Sequence, residues 1–159
     1  MRSAAAAGAL EVPAEVRDAV AGVPEIGALD QVFMLLTVDV QGRVDVCLLS
    51  RTEVEATASS LRVVVAGTKA RRNLRVTGRA TFVAVAGDAA YYLALRVVRV
   101  LEEAGAIGAV LEVERALRDG LGVELHPACF RVEEKLAAEE RWDRTRRLLE
   151  RLVSEDVDL

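Results

Sequence analysis

The sequence predicts an α+β domain whose antiparallel sheet of six strands forms a small closed or split β-barrel with flanking helices. Two features predict it. Strand-like runs follow one another across tight turns, which favours antiparallel pairing. The regular strand–helix alternation and the Gly-rich first turn of a parallel, doubly wound sheet are both missing from the 159 residues.

Length and composition fit a single domain with an aliphatic core. Apolar residues make up 52% of the chain and aromatic residues only 4%, so we expect a sizeable core and few rings to stack on a ligand. We expect residues 1–12, which are rich in alanine, to be a flexible leader and residues 13–159 to form the domain. No apolar run approaches the roughly 18 residues that cross a bilayer, so no membrane association is expected.

Charge and cysteine content argue against several classes of function. The formal net charge is −4, whereas a general nucleic-acid binder usually carries a basic excess. The arginines near the C-terminus alternate with acidic residues, which indicates a solvated or subunit-facing helix. Cys47 and Cys129 have no partner at metal-ligand spacing and His126 is the single histidine, so no metal site is expected. We expect both cysteines to be buried as small apolar residues in a cytoplasmic protein.

The chain begins with a short helix followed by a hairpin. Pro13 suits the first position of a helix that runs to about Ala21. Strands are predicted over 32–40 and 43–50, joined by the tight-turn signal Gln41-Gly42. The second strand alternates, so that one face carries Val44, Val46 and Leu48 and the other carries Arg43, Asp45 and Cys47.

The middle of the chain adds three strands and a helix. Residues 52–59 are small and polar, which predicts a loop or a ragged strand end. Strands are predicted over 61–66, 79–86 and 91–103, each bounded by a glycine or a turn signal. Between the first two of these strands, Thr68 is expected to cap a short helix that runs through Leu74 or Arg75.

The last third predicts two helices on either side of one strand. Residues 106–118 show apolar positions at helical spacing, and Gly120 and Gly122 follow them. A strand is predicted over 129–135. A closing helix is predicted over 139–153, with its apolar residues on or near one face at Trp142, Leu149 and Leu152.

The segment Gly67-Thr68-Lys69-Ala70-Arg71-Arg72-Asn73-Leu74 is the most informative for chemistry. A strand ends at a glycine, and a hydroxyl residue and a lysine follow in the first turn of a helix. Free backbone N–H groups and the helix dipole favour an anion there, and Lys69 adds full charge. Two interpretations stay open on the local sequence, a phosphate site or an ordinary Thr-capped helix with a solvated basic face.

This stretch and its neighbours resemble the pyridoxamine 5'-phosphate oxidase-like family. The resemblance rests on the strands "FMLLTVDVQGRVDV", "CLLSR" and "LRVVVAG", the segment "GTKARRNL" and the strand "GRATFVAV" that follows it. It covers about a third of the chain closely. It implies a six-stranded antiparallel split β-barrel that forms a homodimer with FMN in the groove between subunits.

The resemblance also implies roles for named residues. Thr68 and Lys69 would contact the FMN phosphate, Arg72 is a further phosphate candidate, and Asn73 would fix the turn. The residues implied along the isoalloxazine or ribityl chain are Leu48, Leu49, Ser50 and Arg51. The oxidases carry an arginine near the start of the second strand, where this sequence reads Val44-Asp45-Val46, and Arg43 or Arg51 would have to replace it.

The function that this implies is a flavin-dependent oxidoreductase with an unknown small-molecule substrate. In such a protein the cofactor supplies the chemistry, and no residue is assigned a catalytic role here. Nothing matches a pyridoxal-phosphate substrate site, so pyridoxamine phosphate oxidase activity is not expected. The alternatives are a cofactor-free split barrel that serves in binding or assembly, and a relative that uses haem, with His126 as a conceivable axial ligand, or a deazaflavin.

Overall fold

A computed structural model describes residues 10–103 and 105–155 of the chain. The predicted leader, residues 1–12, lies mostly outside the described residues. Its last residue, Val12, is buried in the core, and its amide donates a hydrogen bond to the carbonyl of Ala58 at 2.8 Å.

The described residues contain four helices and nine strands. The helices are α1 (Ala14–Val20), α2 (Thr68–Val76), α3 (Glu134–Glu139) and α4 (Trp142–Glu155). The strands are β1 (Leu29–Gln31), β2 (Phe33–Val38), β3 (Val44–Leu49), β4 (Val54–Ala56), β5 (Ser60–Val65), β6 (Arg79–Ala86), β7 (Ala89–Glu103), β8 (Ala106–Gly120) and β9 (Cys129–Arg131).

The strands form one large antiparallel sheet and one small ribbon. The large sheet has the order β3-β2-β6-β7-β8-β5-β4, and β1 pairs with β9 apart from it. The predicted α+β class and the antiparallel pairing are confirmed, but the large sheet has seven strands and not six. It gains β8 and the short β4, which lies in the segment predicted as a loop or ragged strand end, and it lacks the predicted strand near residue 130.

The large sheet curls around α1. Three strands separate β4 from β6 in the sheet order, which would place them about 19 Å apart in a flat sheet. The seven-residue helix α1, about 10 Å long, nevertheless contacts both strands. The sheet is therefore a curled half-barrel with α1 packed inside, and the stacked rings of Phe33 and Phe82, with centroids 5.5 Å apart, lie in the same core.

The predicted helix over 106–118 is wrong, because these residues form strand β8. Each of the first six residues of β8 is buried. On one side of the sheet Leu111 enters the barrel core, and on the other Val110 packs beneath α4 with Val64. A strand that is covered on both faces shows no alternation of apolar and polar residues, so its apolar positions imitate helical spacing.

The C-terminal segment differs from the prediction in its boundaries. The predicted strand over 129–135 ends at Arg131, and its last two residues begin α3 instead. The predicted closing helix over 139–153 begins at Trp142 as α4, after a break at Arg141, whose φ is +51°. Leu149 and Leu152 share one face of α4 as predicted, and this face is buried against the outer side of the sheet. Trp142 is half-buried and meets Phe130 edge to face, with ring centroids 6.4 Å apart.

The prediction that both cysteines are buried is also wrong. Cys129 is exposed in the β1–β9 ribbon and Cys47 is half-buried on β3, and both thiols are free. None of the described helices has the length and apolar character needed to cross a membrane.

Candidate functional site

Two grooves lie near opposite ends of β3. The first, called here the basic groove, has a volume of about 450 Å³ and lies between the β2–β3 turn and α2. Its lining residues are Asp39, Val40, Gln41, Arg43, Val44, Asp45, Lys69, Arg72, Asn73 and Val76. It therefore combines the end of the predicted hairpin with the helix of the predicted phosphate segment.

The inner face of α2 fixes the helix on β2. Ala70 and Leu74 are buried in the barrel core. The buried Asn73 donates its side-chain N–H to Thr37 Oγ1 at 3.0 Å, and Thr77 Oγ1 donates to the carbonyl of Val38 at 3.1 Å. Because this face is held, the opposite face of α2 is exposed to solvent at the groove.

Lys69 and Arg72 project from that exposed face of α2. They are three residues apart, so they lie on the same side of the helix. Both side chains are exposed, and within the described part of the chain no ion pair at contact distance engages either of them. They are therefore available to an anion.

The β2–β3 turn supplies the third cation of the basic groove, Arg43, and one of the groove's two carboxylates, Asp39. Asp39 accepts hydrogen bonds from the amides of Gln41 at 2.8 Å and Arg43 at 3.0 Å. These bonds hold the pKa of Asp39 below its ordinary value, and the bond from the Arg43 amide has the largest effect. The positive charges of Arg43 and Arg72 lower this pKa further. Asp39 thus closes the turn, and its charge and that of Asp45 leave the groove with one net positive charge.

Thr68 lies outside this lining. The cap of α2 is Gly67, and the Thr68 side chain occupies the first helical position without a capping hydrogen bond, so the prediction that Thr68 caps the helix is wrong. Gly67 has the extended conformation that a helix cap needs, and this moves the threonine one position into the helix.

The second groove, called here the aromatic groove, has a volume of about 300 Å³. Its lining residues are Val32, Leu48, Leu49, Ser50, Glu53, Phe130, Leu136, Glu140 and Trp142. It begins where β3 ends. Because a strand rises about 3.3 Å per residue, the five steps from Val44 in the basic groove to Leu49 here span about 16 Å.

The partly buried carboxylate of Glu53 lies in the lining of the aromatic groove. The amide of Ser50 donates a 2.5 Å hydrogen bond to Glu53 Oε2, and the Ser50 hydroxyl donates to the same oxygen. Burial raises the pKa of Glu53, and the nearby charge of Glu140 adds to the rise, whereas the bonds from Ser50 oppose it.

No protein-family model matches the sequence, and no curated protein does. The structure is similar to a conserved hypothetical protein from Mycobacterium tuberculosis, at 13% identity with a TM-score of 0.50, over 76% of this chain and 95% of that one. This is the pyridoxamine 5'-phosphate oxidase-like split-barrel fold. An FMN-binding protein from Syntrophomonas wolfei subsp. wolfei aligns at 17% identity and a TM-score of 0.48, over 56% of this chain and 77% of that one. The styrene monooxygenase flavin reductase from Pseudomonas putida S12 aligns at 9% identity with a TM-score of 0.47, over 61% of this chain and 94% of that one.

The split barrel divides the residues predicted to hold a cofactor. Lys69 and Arg72 lie together in the basic groove, and Arg43 joins them there. A second set, Leu48, Leu49 and Ser50, lies in the aromatic groove. In that set Leu48 is exposed, whereas Leu49 belongs mainly to the barrel core.

Arg51 lies in neither groove lining. Its guanidinium forms an ion pair with Asp30 at 2.9 Å and donates to the carbonyls of Ala21 at 2.8 Å and Val23 at 3.3 Å. It therefore ties the segment after α1 to the end of β3. Of the two arginines considered as replacements for the missing second-strand arginine, only Arg43 faces the basic groove.

The sequence did not predict a place in either groove for Asp39, Glu53, Phe130 or Trp142. The signal for Asp39 is present, since an aspartate three residues before a turn glycine commonly accepts hydrogen bonds from the turn amides. Glu53 follows the predicted Ser50 by three residues, whereas Phe130 and Trp142 come from distant segments that meet β3 only through the fold. Within the described ranges no group of three or more histidine, cysteine, aspartate or glutamate residues is placed to hold a metal ion, and His126 is exposed.

Proposed function

We propose that this split barrel binds FMN with the phosphate in the basic groove and acts as a flavin-dependent oxidoreductase on a small molecule. The observation that carries the proposal is the convergence of Arg43, Lys69 and Arg72 on one groove beside the hairpin turn. Charge-assisted hydrogen bonds from such donors are about twice as strong as neutral ones, and three cations suit the double charge of a phosphate.

The geometry of β3 supports the rest of the ligand. The strand leads about 16 Å from the basic groove to Leu48, Leu49 and Ser50, the residues that the sequence resemblance assigns to the ribityl chain and the ring. The exposed side chain of Leu48 offers an apolar surface to a flat ring. Bound flavin would supply hydride transfer, and the chain would anchor the phosphate, orient the ring and exclude water from it.

A second copy of the chain is part of the proposal. The outer face of β3 exposes Val44 at 61%, Val46 at 52% and Leu48 at 64% of their surface, and β3 is an edge strand of the large sheet. Exposed apolar strands at a sheet edge are usually covered in proteins that stay soluble. We propose that a homodimer covers this face and encloses the flavin between its subunits.

FMN titration of the purified chain tests the proposal. We expect Lys69→Gln and Arg72→Gln each to weaken FMN binding about tenfold, because each removes a charge-assisted hydrogen bond of roughly 1.5 kcal/mol. Arg75→Gln is the matched control, since Arg75 lies on the same helix but pairs with Glu102 outside the groove. No FMN uptake at saturating flavin, or equal losses in all three variants, would overturn the proposal.

The second candidate function is a cofactor-free split barrel that serves in binding or assembly. Asp45 favours it, because this partly buried carboxylate faces the basic groove and repels a phosphate. Asp45→Asn distinguishes the two candidates. If FMN binds, this variant binds it more tightly, and if wild type and variant both stay colourless and dimeric, the cofactor-free function is favoured. Absorption spectra with haem and with a deazaflavin test the two remaining cofactors.

A further inference from the structure

The aromatic groove differs from the basic groove in its walls and its charge. Its walls are the rings of Phe130 and Trp142 together with aliphatic side chains, among them Leu48 and Leu136. Two carboxylates, Glu53 and Glu140, are the charged groups in its lining, and none of its described lining residues is a lysine, arginine or histidine.

The carboxylate of Glu53 is held in place at the groove by Ser50. Both hydrogen bonds from Ser50 go to Glu53 Oε2. Glu53 is partly buried and lines the groove together with Glu140. A carboxylate that is partly buried gains more from an opposite charge than one in open water does.

An aromatic wall beside two carboxylates selects for a particular ligand chemistry. The face of a tryptophan ring attracts a cation, and a flat ring packs against it. A neutral ring would gain only the apolar contact, and an anion would meet two negative charges with no compensating cation in the lining.

We infer that the aromatic groove binds an organic cation with a flat ring, such as a pyridinium or a protonated aromatic amine. The binding itself requires only the residues of this groove. That the cation is the substrate of the enzyme rests on the proposed function, because Leu48, Leu49 and Ser50 would then form a wall shared by the groove and the flavin ring.

The single tryptophan of the chain makes the inference measurable. Since Trp142 lines the groove, its fluorescence reports a ligand there directly. Three probes share one ring and differ in charge: 1-methylnicotinamide is a cation, nicotinamide is neutral and nicotinate is an anion. With the full chain, first without and then with FMN, we expect saturable quenching by 1-methylnicotinamide at concentrations at least about fivefold below those needed for nicotinamide, and none by nicotinate.

Variants of the two carboxylates assign the effect to the groove. Glu140 is exposed, and its side chain forms no hydrogen bond to another described residue. We therefore expect Glu140→Gln to remove its charge with little effect on the fold and to weaken 1-methylnicotinamide binding about fivefold. Glu53→Gln should weaken the binding of 1-methylnicotinamide at least as much. The control is Glu139→Gln at the neighbouring position, because Glu139 pairs with Lys135 and lies outside the lining.

The result that would overturn the inference is equal binding of 1-methylnicotinamide and nicotinamide, or unchanged binding in Glu140→Gln. These outcomes are separable from those of the FMN titration. Cation binding without FMN uptake would refute the flavin function and leave the groove assignment standing. FMN uptake without preference for the cation would refute the inference alone.

Discussion

Arginine side chains serve two different purposes in this chain, and their partners separate them. Arg51 is enclosed by Asp30 and two backbone carbonyls, so it holds the fold together. Arg72 is exposed beside Lys69 and faces a groove. The sequence alone cannot separate these two cases, because both arginines follow a strand-like segment and the partners of Arg51 lie about 20 to 30 residues earlier in the chain.

Replacement of Arg51 should destabilise the protein without abolishing FMN binding. Arg51→Ala leaves the carboxylate of Asp30 partly buried and unpaired and frees two carbonyls, which we expect to lower the free energy of unfolding by about 2 kcal/mol. Urea denaturation measures the change. Arg79→Ala is the control, since its pair with Glu114 is exposed and should contribute less than about 1 kcal/mol. A tenfold loss of FMN affinity in Arg51→Ala, with the fold intact, would instead show that Arg51 contributes to FMN binding.

The two cysteines should differ in thiol reactivity. Burial, and then the charges of Glu53, Asp45 and Glu140, raise the pKa of Cys47 from 9.0 to about 11. At pH 8 only about 0.1% of Cys47 would then be thiolate. We expect a disulfide reagent to label one thiol per chain quickly, the exposed Cys129, and the slow rate of Cys47 to rise about tenfold per pH unit up to pH 10. Cys129→Ser should remove the fast phase, and equal rates for both thiols would contradict this account.

At the scale of elements, the sequence predicts well the strands that turn signals and β-branched residues mark, and it predicts β8 poorly, whose first six residues are all buried. The bounds of β6 and the helix α2 follow from local turn signals and periodicity. Strand β8 does not, because α4 covers the face that would otherwise carry polar residues. On β3 the opposite problem arises, since its most apolar face, Val44, Val46 and Leu48, is the exposed one.

The contact between α4 and β8 depends on a glycine. A Cβ at Gly108 would lie 3.0 Å from Leu152 Cδ1 and 3.2 Å from Leu148 Cγ. Gly108→Val should therefore displace α4 and lower the free energy of unfolding by about 1–3 kcal/mol. Ala66→Val, which adds methyl groups at an exposed position, should change it by less than about 0.5 kcal/mol. Denaturation followed by Trp142 fluorescence compares the two, and equal stability of both variants would show that α4 tolerates the added bulk.

At the scale of the whole molecule, the curled sheet brings residues from distant segments of the chain into the same groove. The basic groove joins the β2–β3 turn to α2 across about thirty residues, and its lysine and arginine were predictable from the segment after Gly67. The aromatic groove joins the end of β3 to Phe130 and Trp142, about eighty residues later. No local pattern marks such a meeting, so the second groove could not be predicted before the fold was known.

The exposed face of β3 should hold two copies of the chain together. We expect light scattering on the eluting protein to give twice the 17.2 kDa of one chain. Val46→Glu places a charge on the proposed interface and should shift the mass to that of the monomer. Val123→Glu, at an exposed valine outside the strands, should stay dimeric. A monomeric wild type would refute the homodimer.

The most direct test of the basic groove is a comparison of FMN with riboflavin on the unmodified protein. The two ligands share the ring and the ribityl chain and differ only in the phosphate. If Arg43, Lys69 and Arg72 bind that phosphate, FMN should bind at least about a hundredfold more tightly than riboflavin, and the difference should shrink as salt is added. Equal affinity for the two ligands would contradict the account.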